Sequence, residues 1–434
     1  MNRRLLAITS VGVSLMVLTT IVIILVFVIG EFSDTQSSRP LILISLDGFR
    51  PDYLNAKNTP HLWKLKNAGC FGKMIPVFPS ETFPNHLSIA TGLYPETHGI
   101  ISNSMYDPVM DDYFERSCCD TRWWDNEYST PIWIANQIWG KGVSGTIYWP
   151  GSASPYKGQK AHYDIAFEKL PKWPEYSQFT QKHMDMVISW LKSPEKPANM
   201  IALYITEPDR TAHNYSPFSR EVKESVNKVD LLIGIFLMKL RKANLLDNVN
   251  LIIVSDHGMA EVQESIPILD LVKTSDYNVP NTSATIIGVW PKDSADYEKI
   301  ADKFHQVSFK HNFRVYKRDE FPDFYHYRSS HRIAPITLLA NEGYELCSAC
   351  WTKKSTKWGN HGYDNRLPSM RAVFIARGPD FREKFEQTTP FNNVDLYPMM
   401  LKLLHIAPQP SYGTNGSLAI TDEFLRLGLR PDNQ

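Results

Sequence analysis

The sequence predicts an α/β fold, with a mostly parallel central sheet and helices on both faces. From Leu41 onward, short apolar runs rich in β-branched residues alternate with amphipathic stretches. Runs of this kind are typical of strands buried in a parallel sheet. Three of them, at 41–46, 201–205 and 250–254, lead into Asp or His. Because open α/β sheets collect ligands at the carboxyl ends of their strands, these polar residues are candidates for a functional site.

The first thirty residues form a separate segment. Arg3 and Arg4 precede an apolar stretch, residues 5–30, that carries no charged side chain. This stretch exceeds the apolar core of a cleaved signal, about 7–15 residues, and reaches the roughly 20 residues that span a bilayer. We therefore expect a transmembrane signal anchor at 5–30, with residues 1–4 in the cytoplasm because positive residues stay on that side.

The remainder would then lie outside the cell, as a single-pass type II membrane protein. Residues 31–39 form a polar stalk, residues 40–425 the main domain, and residues 426–434 a short C-terminal tail. The alternative is cleavage near Gly30, which would release a secreted protein. Sequencing the mature N-terminus distinguishes the two.

Glycosylation signals and cysteines fit the secretory pathway. Three Asn-x-Ser/Thr triplets begin at Asn214, Asn281 and Asn415. The five cysteines are an odd number, which leaves at least one thiol free or paired between chains. Cys347 and Cys350 form a single CxxC, which fits a redox pair, half a zinc site, a local disulfide or plain packing.

The remaining elements are predicted from hydrophobic periodicity and from the residues that typically end helices and strands. A late strand is expected at 371–376, and 107–128 has the composition of a loop insertion. The stretches 151–173 and 280–327 look irregular, and we expect loops or a small subdomain there, near the functional face. Candidate helices span 85–91, 130–141, 178–191, 222–243 and 393–404.

The charge balance excludes one broad class of activity. Lys and Arg together number 46, as do Asp and Glu, so the formal net charge is zero. Proteins that follow a nucleic-acid backbone usually carry a basic excess, so we expect no binding of polymeric nucleic acid. Any phosphate recognition should be local. Nothing in the sequence indicates an oligomeric state.

The polar residues at the strand ends are ligands that divalent metals of zinc type accept. Asp209 and His213 are four residues apart, so one helical turn places both on one face. Two such metals each need three or four nitrogen or oxygen ligands, with an open position for substrate. The available set is Asp47, Asp209, His213, Asp256, His257 and His361.

A hydroxyl group is the remaining requirement for nucleophilic catalysis. Ser80 and Thr82 both precede a helix-like segment that ends near Gly92. At a helix N-terminus, free backbone N–H groups and the dipole favour an alkoxide and an incoming phosphate. Either hydroxyl could instead be a helix cap.

Seven motifs together resemble one family, the ectonucleotide pyrophosphatase/phosphodiesterases of the alkaline phosphatase superfamily. The resemblance covers about residues 40–420, and it is to short members that consist of the catalytic domain, here 40–425. It implies an alkaline-phosphatase-like fold with loop insertions over the active-site face. The motifs lie at 46–50, 82–86, 91–96, 103–107, 207–209, 255–259 and 359–362.

The resemblance also implies two zinc ions and a role for each matching residue. Thr82 would be the nucleophile, forming a covalent nucleotidyl intermediate that water hydrolyses, and Asn103 would donate its amide to a phosphate oxygen. Phe83 and Phe167 would form the two faces of a slot for the base, lined also by Tyr204. One zinc would bind Asp209, His213 and His361, and the other Asp47, Asp256, His257 and the Thr82 oxygen.

The expected substrates are nucleotides, such as ATP and dinucleoside polyphosphates, with a nucleoside 5'-monophosphate as product. Ser104 stands where nucleotide-cleaving relatives often carry lysine, so this position would offer no positive charge to the phosphate tail. One alternative is a choline-lipid phosphodiesterase. Another is a non-catalytic adhesion or signalling module on the same scaffold.

Overall fold

The computed structural model describes residues 38–115, 119–167, 176–273, 275–279, 283–348, 357–407 and 413–426. Residues Arg39–Gln434 form one compact unit. The predicted anchor at 5–30 and nearly all of the stalk lie outside the described residues, as does Asn281. Within the described ranges, no helix is long and apolar enough to cross a bilayer. The predicted anchor stays a prediction.

The strands belong to one large sheet and several small ones. In chain order, β1–β20 of the described residues are Leu41–Leu46, Cys70–Ile75, Met105–Asp107, Asp112–Phe114, Ser144–Ile147, Tyr163–Ile165, Met200–Ile205, Asn250–Val254, Ala260–Val262, Glu264–Pro267, Tyr277–Asn278, Ser283–Ala284, Ile286–Pro291, Phe313–Lys317, Ile336–Ala340, Tyr344–Cys347, Trp358–Asn360, Ala372–Arg377, Phe385–Glu386 and Phe391–Asn392.

The helices pack around these sheets. In chain order, α1–α11 of the same residues are Pro60–Ala68, Thr82–Thr91, Pro95–His98, Thr121–Trp124, Ile132–Ile138, Tyr176–Leu191, Asp209–Ala212, Arg220–Lys242, Ile268–Leu271, Tyr297–Ser308 and Leu396–Leu403. Short 3-10 turns lie at Pro51–Tyr53, Ser294–Asp296, Arg318–Glu320, Asp323–Tyr325, Pro368–Met370, Asn393–Asp395 and Thr421–Phe424.

The large sheet has the order β19-β2-β18-β8-β1-β7-β5-β6, and β20 also pairs with β2. Its centre is parallel: β1 pairs with β7 on one side and with β8 on the other. Every residue of these three strands is buried, as expected for strands covered on both faces. The predicted α/β class with a mostly parallel sheet is confirmed.

Strand register brings three strand ends to one edge of the sheet. Leu46 of β1 lies opposite Ile205 of β7, and Ser45 lies opposite Val254 of β8. The residues that follow these strands therefore emerge side by side. This shared edge explains why polar residues far apart in the chain can form one site.

One local expectation is confirmed and another needs correction. The late strand predicted at 371–376 is present as β18, which runs antiparallel to both β2 and β8. A fully apolar run reads the same in either direction, so its pattern cannot give the orientation. Helix α2 begins at Thr82 rather than at residue 85. The sequence has Pro84 there, which a first turn accepts because its N–H needs no intrahelical partner.

The stretch 280–327 is not irregular; of the two alternatives, the small subdomain is the one observed. Strands β11, β13, β15 and β14 form an antiparallel sheet, and α10 packs beside β14. Buried residues such as Ile287, Phe304 and Leu338 give this part its own apolar core. The predicted insertion at 107–128 likewise holds regular structure, the β3–β4 hairpin and α4.

Candidate active site

The threonine at the start of α2 lies at the sheet edge described above. Thr82 is the first residue of the helix, and the preceding Glu81 is extended, without a side-chain cap. Thr82 Oγ1 is 3.3 Å from His257 Nε2. Ser80 Oγ instead donates to the Tyr363 carbonyl at 2.7 Å. Of the two candidate hydroxyls, Thr82 is therefore the one available to a substrate.

The six predicted metal ligands come together in two overlapping groups. In one group, ligand atoms of Asp47, Asp256 and His257 lie within 4.8 Å of one another. In the other, atoms of Asp209, His257 and His361 do so. His257 belongs to both because its ring stacks on that of His361, with 3.6 Å between centroids. The resemblance implies a place for His257 only in the group with Asp47, Asp256 and the Thr82 oxygen.

His213 joins the second group from the cavity rim. Its Nε2 lies 3.3 Å from Asp209 Oδ2 and 3.1 Å from His361 Nε2. The backbone N–H of His213 donates to the Asp209 carbonyl at 3.0 Å, so the four-residue spacing does place both side chains on one face of a turn. With a side chain 39% exposed, His213 is the most accessible of the three.

Three buried carboxylate oxygens have the surroundings of cation ligands. Asp47 Oδ1, Asp209 Oδ1 and Asp256 Oδ2 have no hydrogen-bond donor among the described residues. Leaving a buried charge unpaired is costly, so such oxygens normally have a donor or a metal. Oxygen and imidazole nitrogen together are the donor set that zinc accepts. The residues present therefore fit divalent metal ions.

The protonation balance supports the same conclusion. Burial, followed by the negative charges of Asp209 and Asp256, raises the pKa of Asp47 well above its usual range. Burial acts the same way on Asp209, but the His213 and His361 imidazoles outweigh it and lower the pKa. Burial and the nearby His257 lower the pKa of His361 to about 3. Bound cations would keep all these carboxylates ionised.

Hydrogen bonds from outside the clusters orient the ligands. Tyr204 OH donates to Asp47 Oδ2, and the backbone N–H of Gly48 donates to Asp256 Oδ1 at 3.1 Å. His361 Nδ1 lies 2.9 Å from the Ser80 carbonyl oxygen, which leaves Nε2 directed at the cluster. Partners of this kind fix ring orientation at metal sites. For Tyr204, the sequence predicted only a position in the base slot.

Asn103 is held by two contacts that orient its amide. Its Oδ1 accepts from the Phe83 backbone N–H at 2.8 Å, so the amide nitrogen is the group left to donate. Its own backbone N–H donates to Glu81 Oε2 at 2.7 Å, and Ser102 Oγ donates to the same oxygen. Glu81 is thus a positioning residue that sequence reasoning missed, although it directly precedes Thr82.

His86 is a second residue whose role the sequence did not reveal. Its Nδ1 lies 2.8 Å from the Thr82 carbonyl and 3.4 Å from Asp256 Oδ2. Its Nε2 lies 2.9 Å from Ser45 Oγ. Burial lowers the pKa of His86. His86 belongs to the 82–86 motif, and its place in that motif was the sequence feature that could have pointed to a role in the site.

The predicted base slot is closed in this structure. Phe83 and Phe167 are in edge-to-face contact, with centroids 5.2 Å apart, so they do not form two open faces. Phe83 also packs on Phe114 and Trp124 and is almost fully buried. Tyr204 lies 5.9 Å from Phe167. A base can enter between the two phenylalanines only if Phe167 turns away.

All these groups surround one cavity of about 740 Å³. That volume is typical of small-molecule sites. The sequon residue Asn214 also lines the cavity and is exposed, so a glycan there would lie over the site. Predicted site residues that line the cavity are Asp47, Thr82, Phe83, Asn103, Phe167, Tyr204, Asp209, His213 and His361; Asp256 and His257 lie fully buried behind it.

None of the three cysteines that the structure describes lines this cavity. Cys347 is disulfide-bonded, which excludes the zinc interpretation of its CxxC, and its partner lies outside the described residues. Cys70 is free and buried, and Cys119 is free and exposed.

Comparison with known proteins identifies the class to which this fold and site belong. The family model for type I phosphodiesterase / nucleotide pyrophosphatase matches residues 41–364. This stretch contains the sheet edge, the helix start at Thr82 and all six candidate ligands. The class is therefore that of phosphodiesterase-type hydrolases.

Relatives and solved structures agree with this assignment. Mouse bis(5'-adenosyl)-triphosphatase enpp4 is 37% identical over 390 residues, 89% of this chain and 81% of the relative. Human ectonucleotide pyrophosphatase/phosphodiesterase family member 5 is 34% identical, over 88% of this chain and 78% of the relative. The chain belongs to the type I phosphodiesterase / nucleotide pyrophosphatase family and is an enzyme, a hydrolase.

A similar structure confirms the alkaline-phosphatase-like fold. It is an inactive threonine-to-alanine variant of the murine ectonucleotide pyrophosphatase/phosphodiesterase 5 in complex with AMP. The TM-score is 0.81 at 31% identity, covering 89% of this chain and 100% of that one.

Proposed function

We propose that this protein hydrolyses phosphodiester or pyrophosphate bonds of extracellular nucleotides, such as ATP and dinucleoside polyphosphates, to nucleoside 5'-monophosphates. One observation carries the proposal: a hydroxyl at the start of a buried helix adjoins two buried Asp/His groups in one cavity. Two relatives support it, since one is named a bis(5'-adenosyl)-triphosphatase and another was solved with AMP.

Thr82 would be the nucleophile. Its oxygen attacks phosphorus, the bond from phosphorus to the leaving group breaks, and the nucleotidyl group remains on Thr82. Water then cleaves that ester, releases the nucleoside 5'-monophosphate and restores the hydroxyl. The positive end of the helix dipole, at the start of α2, favours negative charge at this position. A threonine-to-alanine variant of the murine relative is inactive, which supports a threonine nucleophile.

Two zinc ions are the cofactors we propose. Asp209, His213 and His361 would hold one ion, and Asp47, Asp256, His257 and the Thr82 oxygen the other. When bound, zinc supplies Lewis-acid chemistry that favours a deprotonated hydroxyl and stabilises charge on phosphoryl oxygens. Tyr204 and Gly48 would keep the carboxylates of Asp47 and Asp256 oriented through the hydrogen bonds described above.

Asn103 would stabilise the charge that grows on a non-bridging phosphate oxygen. Its amide nitrogen is the free donor, because the amide oxygen is engaged by the Phe83 N–H. The base would contact Phe83, Phe167 and Tyr204 once Phe167 has turned, and stacking on aromatic rings accepts any base. Substrate preference would then be set more by the phosphates than by the identity of the base.

Replacing Asn103 with alanine should lower kcat by about 10²-fold, the usual effect of removing one donor to a developing oxyanion. Steady-state kinetics on the nitrophenyl ester of thymidine monophosphate measure it. Asn103→Asp is the sharper variant, because it keeps the acceptor for the Phe83 N–H while replacing the donor with negative charge. We expect it to be at least as slow. A kcat within about threefold of the parent enzyme in both variants would remove Asn103 from this role.

The choice between nucleotide and lipid substrates is tested with two esters that share a nitrophenolate leaving group. The nitrophenyl ester of thymidine monophosphate should be cleaved at least about tenfold faster, as kcat/KM, than nitrophenyl-phosphocholine, because aromatic rings line the cavity and can stack on a base. Faster cleavage of the choline ester would instead assign the protein to choline-lipid hydrolysis. Cleavage of neither ester, by a protein that binds zinc, would contradict the proposed function.

A further inference from the structure

We propose that Arg210 forms a subsite for the anionic leaving group of the substrate, such as the pyrophosphate released from ATP. The residue would thereby give the enzyme a preference for polyphosphate substrates over esters with weakly charged leaving groups. This inference rests on the proposed function, since it concerns a second part of the same cavity.

Arg210 is distinguished by its place in the cavity. Among the described residues that line the cavity, it is the only lysine or arginine. Its side chain is exposed and makes no hydrogen bond or ion pair with any other described residue. A guanidinium is charged throughout the physiological pH range and matches phosphate oxygens in a bidentate manner. Most of the other exposed arginines that the structure describes form ion pairs with carboxylates, as Arg220 does with Glu224.

Hydrogen bonds hold the backbone of Arg210 next to the candidate metal ligands. Helix α7 begins at Asp209, one residue earlier. The Arg210 N–H donates to the Thr206 carbonyl at 3.2 Å, and Asn214 Nδ2 donates to the Arg210 carbonyl at 3.1 Å. The backbone at Arg210 is therefore held beside the candidate metal ligands, while the guanidinium stays free to approach a phosphate tail.

The charges of the cavity wall explain why a cation is needed there. Asp47, Glu81, Asp209 and Glu345 all line the cavity, and each carboxylate repels an incoming polyphosphate. Two bound zinc ions would offset the aspartates near the reacting phosphate, but the leaving phosphates extend beyond it. Ser104, on the Asn103 side, is uncharged. Arg210 is thus the side chain that can neutralise the outer phosphates.

The test compares two substrates that differ only in the leaving group: ATP and the nitrophenyl ester of AMP. Arg210→Ala should lower kcat/KM for ATP by about tenfold, the size expected for losing one cation–phosphate contact, and leave the nitrophenyl ester within about twofold. Arg210→Lys should recover most of the ATP activity. Raising NaCl from about 50 mM to about 500 mM should reduce the ATP preference of the parent enzyme more than that of Arg210→Ala, because salt screens exposed charges.

Arg241→Ala is the matched control, since Arg241 is exposed near the end of α8 and does not line the cavity. It should change neither rate. Equal loss on both substrates in Arg210→Ala would indicate a structural effect and overturn the inference, as would no loss on either. If the parent enzyme cleaves the nitrophenyl ester but not ATP, the inference about Arg210 is wrong while the phosphodiesterase function stands. If the parent enzyme cleaves neither, the proposed function fails as well.

Discussion

Thr82→Ala should lower turnover by at least about 10³-fold while the protein still folds, because the change removes the proposed nucleophile, whose oxygen is also a proposed zinc ligand. Among the described residues, the side-chain hydrogen-bonding partner of Thr82 Oγ1 is His257 Nε2, at 3.3 Å. Alanine is a good helix former, so α2 should persist. Steady-state assays on the nitrophenyl ester of thymidine monophosphate measure the loss of turnover. Thermal unfolding shows whether the variant is folded.

Thr82→Ser is the matched control for this change. It keeps a hydroxyl at the first position of α2 and removes only a methyl group, so we expect it to retain far more activity than Thr82→Ala. Thermal midpoints of both variants should lie within about 3 °C of the parent protein, since each change removes at most a hydroxyl and a methyl group from the cavity wall. Retention of substantial hydrolysis in Thr82→Ala would show that another group attacks phosphorus.

Removing divalent metal should lower activity by at least about 10²-fold, and adding zinc should restore it. The physical reason is the set of buried carboxylate oxygens that lack a donor, at Asp47, Asp209 and Asp256. Elemental analysis of the purified protein should find about two zinc ions per chain, as two overlapping ligand groups imply. Chelation should also lower the thermal midpoint, because a ligand that binds only the folded state stabilises it.

A single ligand variant separates the two ions. His361→Ala should reduce the zinc content from about two ions to about one, since His361 would hold only one of them. His162→Ala is the control, because His162 is exposed and lies outside the cavity; it should keep both ions. A chelated enzyme that stays fully active, or a His361→Ala protein with unchanged zinc content, would contradict the two-metal assignment.

The sequence by itself determined the class of the fold, and it predicted which ligand-type residues come together at the sheet edge. Strands β1, β7 and β8 could be predicted because complete burial requires near-continuous apolar runs, a property that each run shows locally. The carboxyl-end rule then predicted that Asp47, Asp209 and Asp256 would meet. The four-residue spacing of Asp209 and His213 predicted their contact for an equally local reason, the pitch of a helical turn.

Tertiary structure decided what depends on contacts between distant segments. The antiparallel direction of β18, the closed contact between Phe83 and Phe167, and the exposure of Arg210 to the cavity all depend on neighbours far away in the chain. So does the hydrogen bond of Tyr204 to Asp47, across 157 residues of sequence separation. Periodicity and composition report the burial of a residue, but not which side chain it meets or which way that side chain turns. Those are set by packing, which only the folded chain contains.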